Sequence, residues 1–368
     1  MEVKRNILLN PGPATTTHTV KLAQVVPDIC PRELEFGKMM EEVCKDLVQF
    51  VADYETYECV LFGGSGTAGV EAMLTSVIGE EDCVLIINNG AYGKRMCEIC
   101  DVYGISYVEY KSSNIEPVNM AKLEEVIASK REILTHIACI HNETTTGLLN
   151  DVTSIGQLAK AYQLTFLVDA MSSYAGIPID MEQMNISYLV ASSNKNIQGM
   201  AGLSFAIANR DQLVSLKEKK ARSFYLNLYA QYDYFVKTKQ LRFTPPVQTV
   251  YALKQAIEEL KKETVEGRYK RYTKSWEVLL EGIEQLGLTY LVEKENQSHI
   301  ITTIVEPEVE GYSFEEMHQY LYDRGYTIYP GKIGEANTFR IANIGAIDEH
   351  DIKGFLKELK GYLQTLQQ

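Results

Sequence analysis

YECVLFGGSGTAGVEAMLTSVIG, residues 57–79, contains the unit from which an α/β fold is built. Its first six residues are a short apolar run that indicates a buried strand. The small residues of GGSGTAG predict a tight turn, and the pattern that follows predicts a helix that ends at Gly79. A strand, a turn and a helix in this order favour a layered α/β domain.

The same alternation continues along the chain. Further apolar runs predict strands, with helical segments between most of them: DCVLIIN, ISYVEY, HIACIH, LTFLVDA and SYLVAS. Continuous Val, Ile and Leu indicate strands that are covered on both faces, as in a mostly parallel sheet. LSFAIA, Leu203 to Ala208, follows after a gap too short for a crossover helix, so we expect it to run antiparallel. Residues 15–260 are therefore predicted to form a large α/β domain with a mixed, mostly parallel sheet.

The last third of the chain follows a different pattern. Pro245-Pro246 interrupts the chain, and residues 249–287 then predict one long helix whose charges alternate in sign, which we interpret as a solvated linker. Strand-like segments around HIITTIVE and FRIANIG follow, with helical segments at SFEEMHQYLYDRG and DEHDIKGFLKELKGYL. We expect residues 261–368, together with residues 1–14, to form a smaller α+β domain.

The composition excludes several classes of protein. The 368 residues are 45% hydrophobic, which is enough for two cores, and they have a formal net charge of −13. Such a chain has no broad basic surface for a nucleic acid, and no apolar run is long enough to span a membrane. Its seven cysteines are an odd number, which favours reduced thiols and a cytoplasmic location. Cys97-x-x-Cys100 has no second pair to complete a metal site, so none is predicted.

The turn at Gly64–Gly69 matches the pattern G-x-G-x-x-G between a strand and a helix. Such turns let backbone N–H groups approach an anion at the start of a helix. As a dinucleotide site the match is weak, because the next strand ends in Asn88-Asn89 and lacks the acid that binds the ribose. The hydroxyl groups of Ser65 and Thr67 favour the phosphate of another cofactor. A structural turn and a dinucleotide site stay open as alternatives.

Two successive apolar runs are each followed by a charged residue. Asp169 ends LTFLVD, and Lys195 follows SYLVASSN. The carboxyl ends of parallel strands meet at one edge of a sheet, where functional groups collect. An Asp that caps a turn and a solvated Lys are the ordinary alternatives. Together, however, the two residues meet the needs of pyridoxal phosphate, whose ring nitrogen requires an acid and whose aldehyde reacts with a lysine.

The motifs FGGSGTAGVEA, HNETTTGLLND, LVDAMSS and SSNK together resemble those of the class V pyridoxal-phosphate aminotransferases. NPGPA, RSFYLNLYAQYDYF and YPGKIGEANTFRIANIG are similar to the members that use 2-aminoethylphosphonate, and the similarity extends from about residue 6 to residue 360. The resemblance implies a large and a small domain with a mixed sheet. It also implies bound pyridoxal 5'-phosphate and a homodimer with active sites at its interface.

Within this resemblance, Lys195 and Asp169 are the catalytic residues. The family's cofactor contacts correspond to the following residues: Ser65, Gly66, Thr67, Tyr92, Thr144, Asp169, Asn194, Lys195 and Thr244. Tyr92 matches the ring that stacks on the cofactor, Thr144 a residue near its phenolic oxygen, and Asn194 a residue near its phosphate. Thr244 matches a residue that reaches the phosphate in the partner subunit.

The resemblance also implies the reaction, which is transfer of the amino group of 2-aminoethylphosphonate to pyruvate in phosphonate degradation. Arg340 in TFRIANIG corresponds to the family's carboxylate-binding arginine, and a planar guanidinium suits a carboxylate or a phosphonate. Arg32 and Lys332 are further candidates for the phosphonate. Asn142, Asn196 and Met200-Ala201 depart from the residues usual in this family; they lie beside the site, where they can change the packing around the cofactor, and they leave the assignment of Lys195 intact.

Other functions stay open at this point. A class V transaminase could use another amino donor, as in the alanine–glyoxylate type. A cysteine desulfurase is disfavoured because no cysteine follows Cys139 to act as a nucleophile. A nicotinamide-dependent dehydrogenase is disfavoured by the missing acid after DCVLII. A binding protein without catalysis would be expected to lack Lys195.

Overall fold

The computed structural model of the protein describes residues 4–333 and 336–366. Its strands are β1 Ile7–Leu8, β2 Tyr57–Gly63, β3 Cys83–Asn88, β4 Ser106–Lys111, β5 His136–Ile140, β6 Asn142–Glu143, β7 Leu148–Leu149, β8 Thr165–Asp169, β9 Tyr188–Ser192, β10 Leu203–Asn209, β11 Ile301–Val305, β12 Tyr326–Thr327, β13 Tyr329–Ile333 and β14 Ala336–Ala342. Its α-helices are α1 His18–Leu22, α2 Leu34–Gln49, α3 Gly66–Val77, α4 Ala91–Tyr103, α5 Met120–Ser129, α6 Val152–Ala161, α7 Arg210–Ser215, α8 Leu228–Thr238, α9 Val247–Glu263, α10 Val265–Gln285, α11 Phe314–Tyr322 and α12 Glu349–Thr365.

Seven of these strands form one sheet in the order β2-β10-β9-β8-β5-β3-β4. Strands β4, β3, β5, β8 and β9 run parallel, whereas β10 is antiparallel to both of its neighbours. The predicted α/β class, the mostly parallel sheet and the antiparallel direction of LSFAIA are therefore confirmed. Asp169 pairs with Val190, so the carboxyl ends of β8 and β9 lie side by side.

Apolar layers cover both faces of this sheet. Successive residues of β3 alternate between them, since Leu85 and Ile87 join one apolar cluster and Val84 and Ile86 join the other. Helices α2, α5, α6 and α9 contribute to the first cluster, and α3, α4, α7 and α8 contribute to the second. Burial on both faces explains why these strands are apolar without interruption.

A second, antiparallel sheet contains β11, β14 and β13 in that order. Helices α10, α11 and α12 pack on it through an apolar cluster that includes Leu279, Met317, Phe339 and Phe355. Strand β1 pairs in parallel with β12. The division into a domain of residues 15–260 and a domain of residues 1–14 and 261–368 stays a prediction.

The single solvated helix expected over residues 249–287 is wrong. The chain forms α9 and α10 there, separated at Thr264, whose φ of 65° lies in the left-handed region. Tyr272 and Trp276 of α10 are buried, because this helix packs its apolar residues against the rest of the protein. No helix among residues 4–333 and 336–366 is long and apolar enough to cross a membrane.

Candidate active site

A cavity of about 270 Å³ opens at the carboxyl ends of β8 and β9. The turn before α3 forms one wall, and Tyr92 and Arg95 of α4 form another. Asp169 ends β8, and Lys195 lies three residues beyond the end of β9. Both side chains line the cavity, so the parallel sheet brings together the two charged residues that the sequence singled out.

The N-terminus of α3 faces this cavity. Ser65 is the N-cap residue, yet its side chain makes no capping hydrogen bond, and the first turn of the helix contains no acidic residue. The backbone N–H groups and the positive end of the helix are therefore available to an anion. A Cβ on Gly66 would lie 2.5 Å from the sulfur of Met171, so a larger residue at this turn would displace the methionine side chain.

Asp169 is a buried carboxylate, with only 5% of its surface exposed. Its Oδ1 accepts a hydrogen bond of 2.8 Å from the backbone N–H of Met171. Burial raises the pKa of Asp169 to about 6, while this hydrogen bond and the positive charges of Arg95 and Lys195 act in the opposite direction. A cation placed at the carboxylate would satisfy a charge that is otherwise poorly solvated.

The amine of Lys195 is held inside the same cavity. Its Nζ donates a hydrogen bond of 2.6 Å to the backbone carbonyl of Pro11. Burial lowers the pKa of Lys195 to about 8, Asp169 opposes this effect and Arg95 adds to it. A side chain on Gly12 would collide with Nζ, and the φ of +136° at Gly12 also favours glycine. The segment NPGP therefore closes over the lysine.

The buried carboxylate of Glu143, on β6, accepts a hydrogen bond from the first turn of α4. Glu143 is fully buried, and it accepts hydrogen bonds from the backbone N–H groups of Tyr92 at 3.3 Å and Thr145 at 3.0 Å. A Cβ on Gly90 would collide with Glu143. Burial raises the pKa of Glu143, and its hydrogen bonds oppose the rise. The contact fixes the start of α4, which positions the ring of Tyr92.

Arg340 lies on β14 and binds the backbone next to Glu143. Its Nη1 donates to the carbonyl of Thr144 at 3.2 Å, and its Nη2 donates to the carbonyl of Pro330 at 2.9 Å. Its guanidinium carbon lies 4.9 Å from the centre of the Tyr329 ring. Nε is buried and has no acceptor among the residues that the structure describes. Burial lowers the pKa of Arg340.

A family model described as aminotransferase class V matches residues 17–342. The chain belongs to the class V aminotransferases. Enzymes of this family depend on pyridoxal 5'-phosphate, so the predicted cofactor is confirmed.

Two relatives at about 40% identity match this chain over nearly their whole length. The 2-aminoethylphosphonate–pyruvate transaminase of Klebsiella pneumoniae is 40% identical over 359 residues, which cover 97% of each chain. That of Bacillus cereus strain Q1 is 42% identical over 349 residues, or 94% of each chain. A bifunctional phosphonoacetaldehyde hydrolase/aminoethylphosphonate transaminase of Clostridioides difficile is 41% identical over 350 residues, and the match spans only 55% of that longer protein.

Solved structures share the fold at lower identity. An alanine–glyoxylate aminotransferase from Nostoc sp. has a TM-score of 0.90 at 24% identity, covering 99% of this chain and 96% of that one. A pyridoxamine–pyruvate aminotransferase from Mesorhizobium loti also has a TM-score of 0.90, at 20% identity, covering 100% and 94%. The predicted fold class of this family is confirmed.

Most of the residues expected from the family motifs line the one cavity: Ser65, Gly66, Thr67, Tyr92, Asp169, Asn194 and Lys195. Thr144 is buried, and its backbone carbonyl accepts a hydrogen bond from Arg340. Thr244 is exposed and lies in a separate small cleft beside Gly63 and Tyr225. The structure therefore does not bring Thr244 into the cavity of its own chain.

Of the two further candidates for the phosphonate, Arg32 does not line this cavity. Arg32 donates to the backbone carbonyls of Leu241 at 2.6 Å and Arg242 at 3.3 Å. The side chain of Lys332 lies outside the described residues.

The unusual asparagines bind the turn that follows Asp169. Asn142 donates to the Ser172 hydroxyl at 3.1 Å, and Asn196 donates to the Ser172 carbonyl at 2.7 Å. Neither asparagine lines the cavity, whereas Ala201 does, and the effect of these departures on the cofactor stays a prediction.

Sequence reasoning missed three contributors to the site. Arg95 lines the cavity one helical turn after Tyr92, and the spacing of three residues was the signal that could have found it. Glu143 stands beside Thr144 in the motif that was noted. The contact between Lys195 and Pro11 joins residues 184 positions apart, for which the local pattern gives no signal.

Proposed function

We propose that this chain transfers the amino group of 2-aminoethylphosphonate to pyruvate, with phosphonoacetaldehyde and L-alanine as products. The proposal rests on one observation, which is that Asp169 and Lys195 line the same cavity and that a helix N-terminus faces it. The names of the relatives at about 40% identity support the choice of substrates.

The residues of the cavity fit pyridoxal 5'-phosphate. The N-terminus of α3, with Ser65 and Thr67, suits the phosphate, and a buried Asp169 suits the protonated ring nitrogen. The hydroxyl of Ser192 is a buried polar group of this cavity that has no partner in the described part of the chain, so it too is available. Tyr92 provides a ring for stacking, and Lys195 provides the amine that binds the aldehyde.

Bound pyridoxal 5'-phosphate supplies the electron sink that makes the carbon next to an amino group acidic, and it stores the amino group between the two half-reactions. Lys195 would be the base that removes the proton from that carbon and the acid that returns one across the transferred nitrogen. A pKa lowered from 10.5 to about 8 leaves roughly a tenth of the amine neutral at pH 7, far more than for an ordinary lysine, and the neutral form is the one that acts as a base. Asp169 holds the positive ring nitrogen in place.

The two substrates are both anions, and one cation can bind each in turn. We infer that Arg340 binds the phosphonate in the first half-reaction and the carboxylate of pyruvate in the second. Its unpartnered Nε is a donor that an anion can use without breaking the bonds to Thr144 and Pro330. Arg32 is already bonded to backbone carbonyls, which argues against it as a phosphonate ligand in this conformation.

We further infer a homodimer and a cytoplasmic location. The exposed position of Thr244, outside the cavity of its own chain, supports a role at the cofactor phosphate of a second copy. Six of the seven cysteines are buried as free thiols, and Cys30 is exposed, which suits a reducing compartment.

A donor screen with pyruvate tests the proposed reaction. The purified enzyme is loaded with pyridoxal 5'-phosphate, and alanine formation is measured with 2-aminoethylphosphonate and with ordinary amino acids at equal concentration. We expect the highest kcat/KM for 2-aminoethylphosphonate. Equal or higher values for ordinary amino acids would refute the named donor, and a preference for glyoxylate as acceptor would favour the alanine–glyoxylate type.

A further inference from the structure

Arg95 is a cationic residue that lines the cavity, and the reaction described above gives it no role. It lies on α4 one helical turn after Tyr92, and its guanidinium carbon is 4.7 Å from the centre of the Tyr92 ring. Its residue is half-buried and lines the cavity together with Asp169 and Lys195. Lys94, its neighbour in sequence, points away and pairs with Glu98 at 3.6 Å on the exposed side of the helix.

The guanidinium of Arg95 makes no hydrogen bond and no ion pair with any residue that the structure describes, in contrast to Arg340. A partly buried arginine with unused donors is uncommon, because desolvated charges are normally paired. The stacking on Tyr92 explains where the side chain lies, but it leaves the charge uncompensated. Its charge therefore acts on the groups around the cavity.

Four titratable or charged residues line this cavity: Tyr92 and Arg95 on α4, Asp169 on β8 and Lys195 after β9. Three more lie outside the lining and interact electrostatically with these residues: Cys139 on β5, Glu143 on β6 and Arg340 on β14. Glu143 uses its oxygens on backbone N–H groups at the start of α4. Among the residues that the structure describes, Asp169 has one hydrogen-bond donor, the N–H of Met171. Asp169 is thus the anion with the greatest need of a nearby positive charge.

We propose that Arg95 is a positioning residue that keeps Asp169 ionised and the amine of Lys195 neutral. The inference rests on the proposed function, since a pyridoxal-phosphate enzyme needs both states at once. Burial favours the protonated form of Asp169, and one positive charge close by counteracts this. The same charge disfavours protonation of the amine, so a single side chain serves both groups.

The pKa directions agree with this geometry. Arg95 lowers the pKa of Asp169, which burial raises to about 6, and it adds to the lowering of the Lys195 pKa by burial and so to the value of about 8. Glu143 acts on Asp169 in the opposite sense, because its own negative charge raises the pKa of Asp169. Without Arg95, the protein would lose one of the positive charges that oppose the effect of Glu143 on the pKa of Asp169.

The test compares Arg95→Gln and Arg95→Met, which remove the charge, with Arg95→Lys, which keeps it. Arg95→Met retains an apolar stem against Tyr92, so it reports the charge even if the polar substitution disturbs folding. Lys94→Gln is the matched control, because it removes one positive charge from the same helix outside the cavity. Each protein is loaded with pyridoxal 5'-phosphate.

Two pH titrations are recorded, one of the cofactor absorption band without substrate and one of kcat. We expect both midpoints to move to higher pH, by on the order of one pH unit, in Arg95→Gln and Arg95→Met. Arg95→Lys and Lys94→Gln should titrate like the wild-type enzyme. If the neutral variants titrate like the wild type, or if Arg95→Lys shifts as far as they do, the role of Arg95 is refuted. A wild-type protein that forms no absorption band would refute the proposed function itself.

Discussion

The substitution Asp169→Asn separates what the buried carboxylate does for folding from what it does for the cofactor. Burial raises the pKa of Asp169 from an ordinary value of 3.8 to about 6. Because one pKa unit corresponds to about 1.4 kcal/mol, ionised Asp169 destabilises the cofactor-free fold by about 3 kcal/mol. Asparagine has the same shape, carries no charge, and can still accept the hydrogen bond from Met171.

The pH dependence follows from the raised pKa. Below pH 3.8 the carboxyl group is protonated in both the folded and the unfolded protein, so it has no effect on stability. As the pH rises towards 6 and beyond, the unfolded state ionises first and the folded state loses stability relative to it. The variant should therefore be more stable than the wild type, by about 2 kcal/mol at pH 5 and by about 3 kcal/mol at pH 8.

Urea unfolding of the cofactor-free proteins at pH 5 and pH 8, at one protein concentration, measures this difference. Asp28→Asn, at an exposed aspartate, is the control and should show no such gain. With pyridoxal 5'-phosphate the sign reverses, because the variant loses a charged hydrogen bond to the ring nitrogen. Its affinity for the cofactor should fall about 10- to 150-fold. An Asp169→Asn protein that is less stable at pH 8 than the wild type would contradict the reasoning.

Three further substitutions have defined outcomes. Gly12→Ala should cost about 1–3 kcal/mol in urea unfolding, since φ is +136°, and its Cβ should displace Lys195 and reduce labelling of that lysine by cofactor and borohydride. Arg340→Gln should lower kcat/KM for the phosphonate donor by about 10- to 150-fold with an unchanged absorption band, and a lost band would point to a structural role instead. Arg268→Met should destabilise the protein by about 1–3 kcal/mol in urea unfolding, because the buried carbonyl of Asn196 loses its donor while Glu263 keeps its second partner Arg271; an unchanged stability would count against this contact.

The positions of Asp169 and Lys195 could be predicted because both follow apolar strands of a parallel sheet. Strand periodicity and the rule that functional groups collect at carboxyl ends are local signals, and they are sufficient for these residues. The position of the turn at Ser65 before α3 could be predicted for the same reason, since its small residues and the start of a helix are adjacent in sequence.

Contacts between distant segments could not be predicted. The carbonyl that binds Lys195 belongs to Pro11, and the arginine that binds the carbonyl of Asn196 is Arg268 on α10. Arg268 also shows why the linker interpretation failed, because the charged residues of residues 249–287 include buried partners as well as solvated ones. Thr264 adopts a left-handed conformation that ends α9, and no Gly or Pro at this position signals the end of the helix in the sequence.

Borohydride reduction of the protein loaded with pyridoxal 5'-phosphate, followed by peptide mapping, tests the central claim most directly. Reduction makes the bond between cofactor and lysine permanent, so the labelled residue identifies the attachment site. The account predicts a yellow protein and a single labelled peptide that contains Lys195. A colourless protein, no label, or a label on another lysine would contradict it.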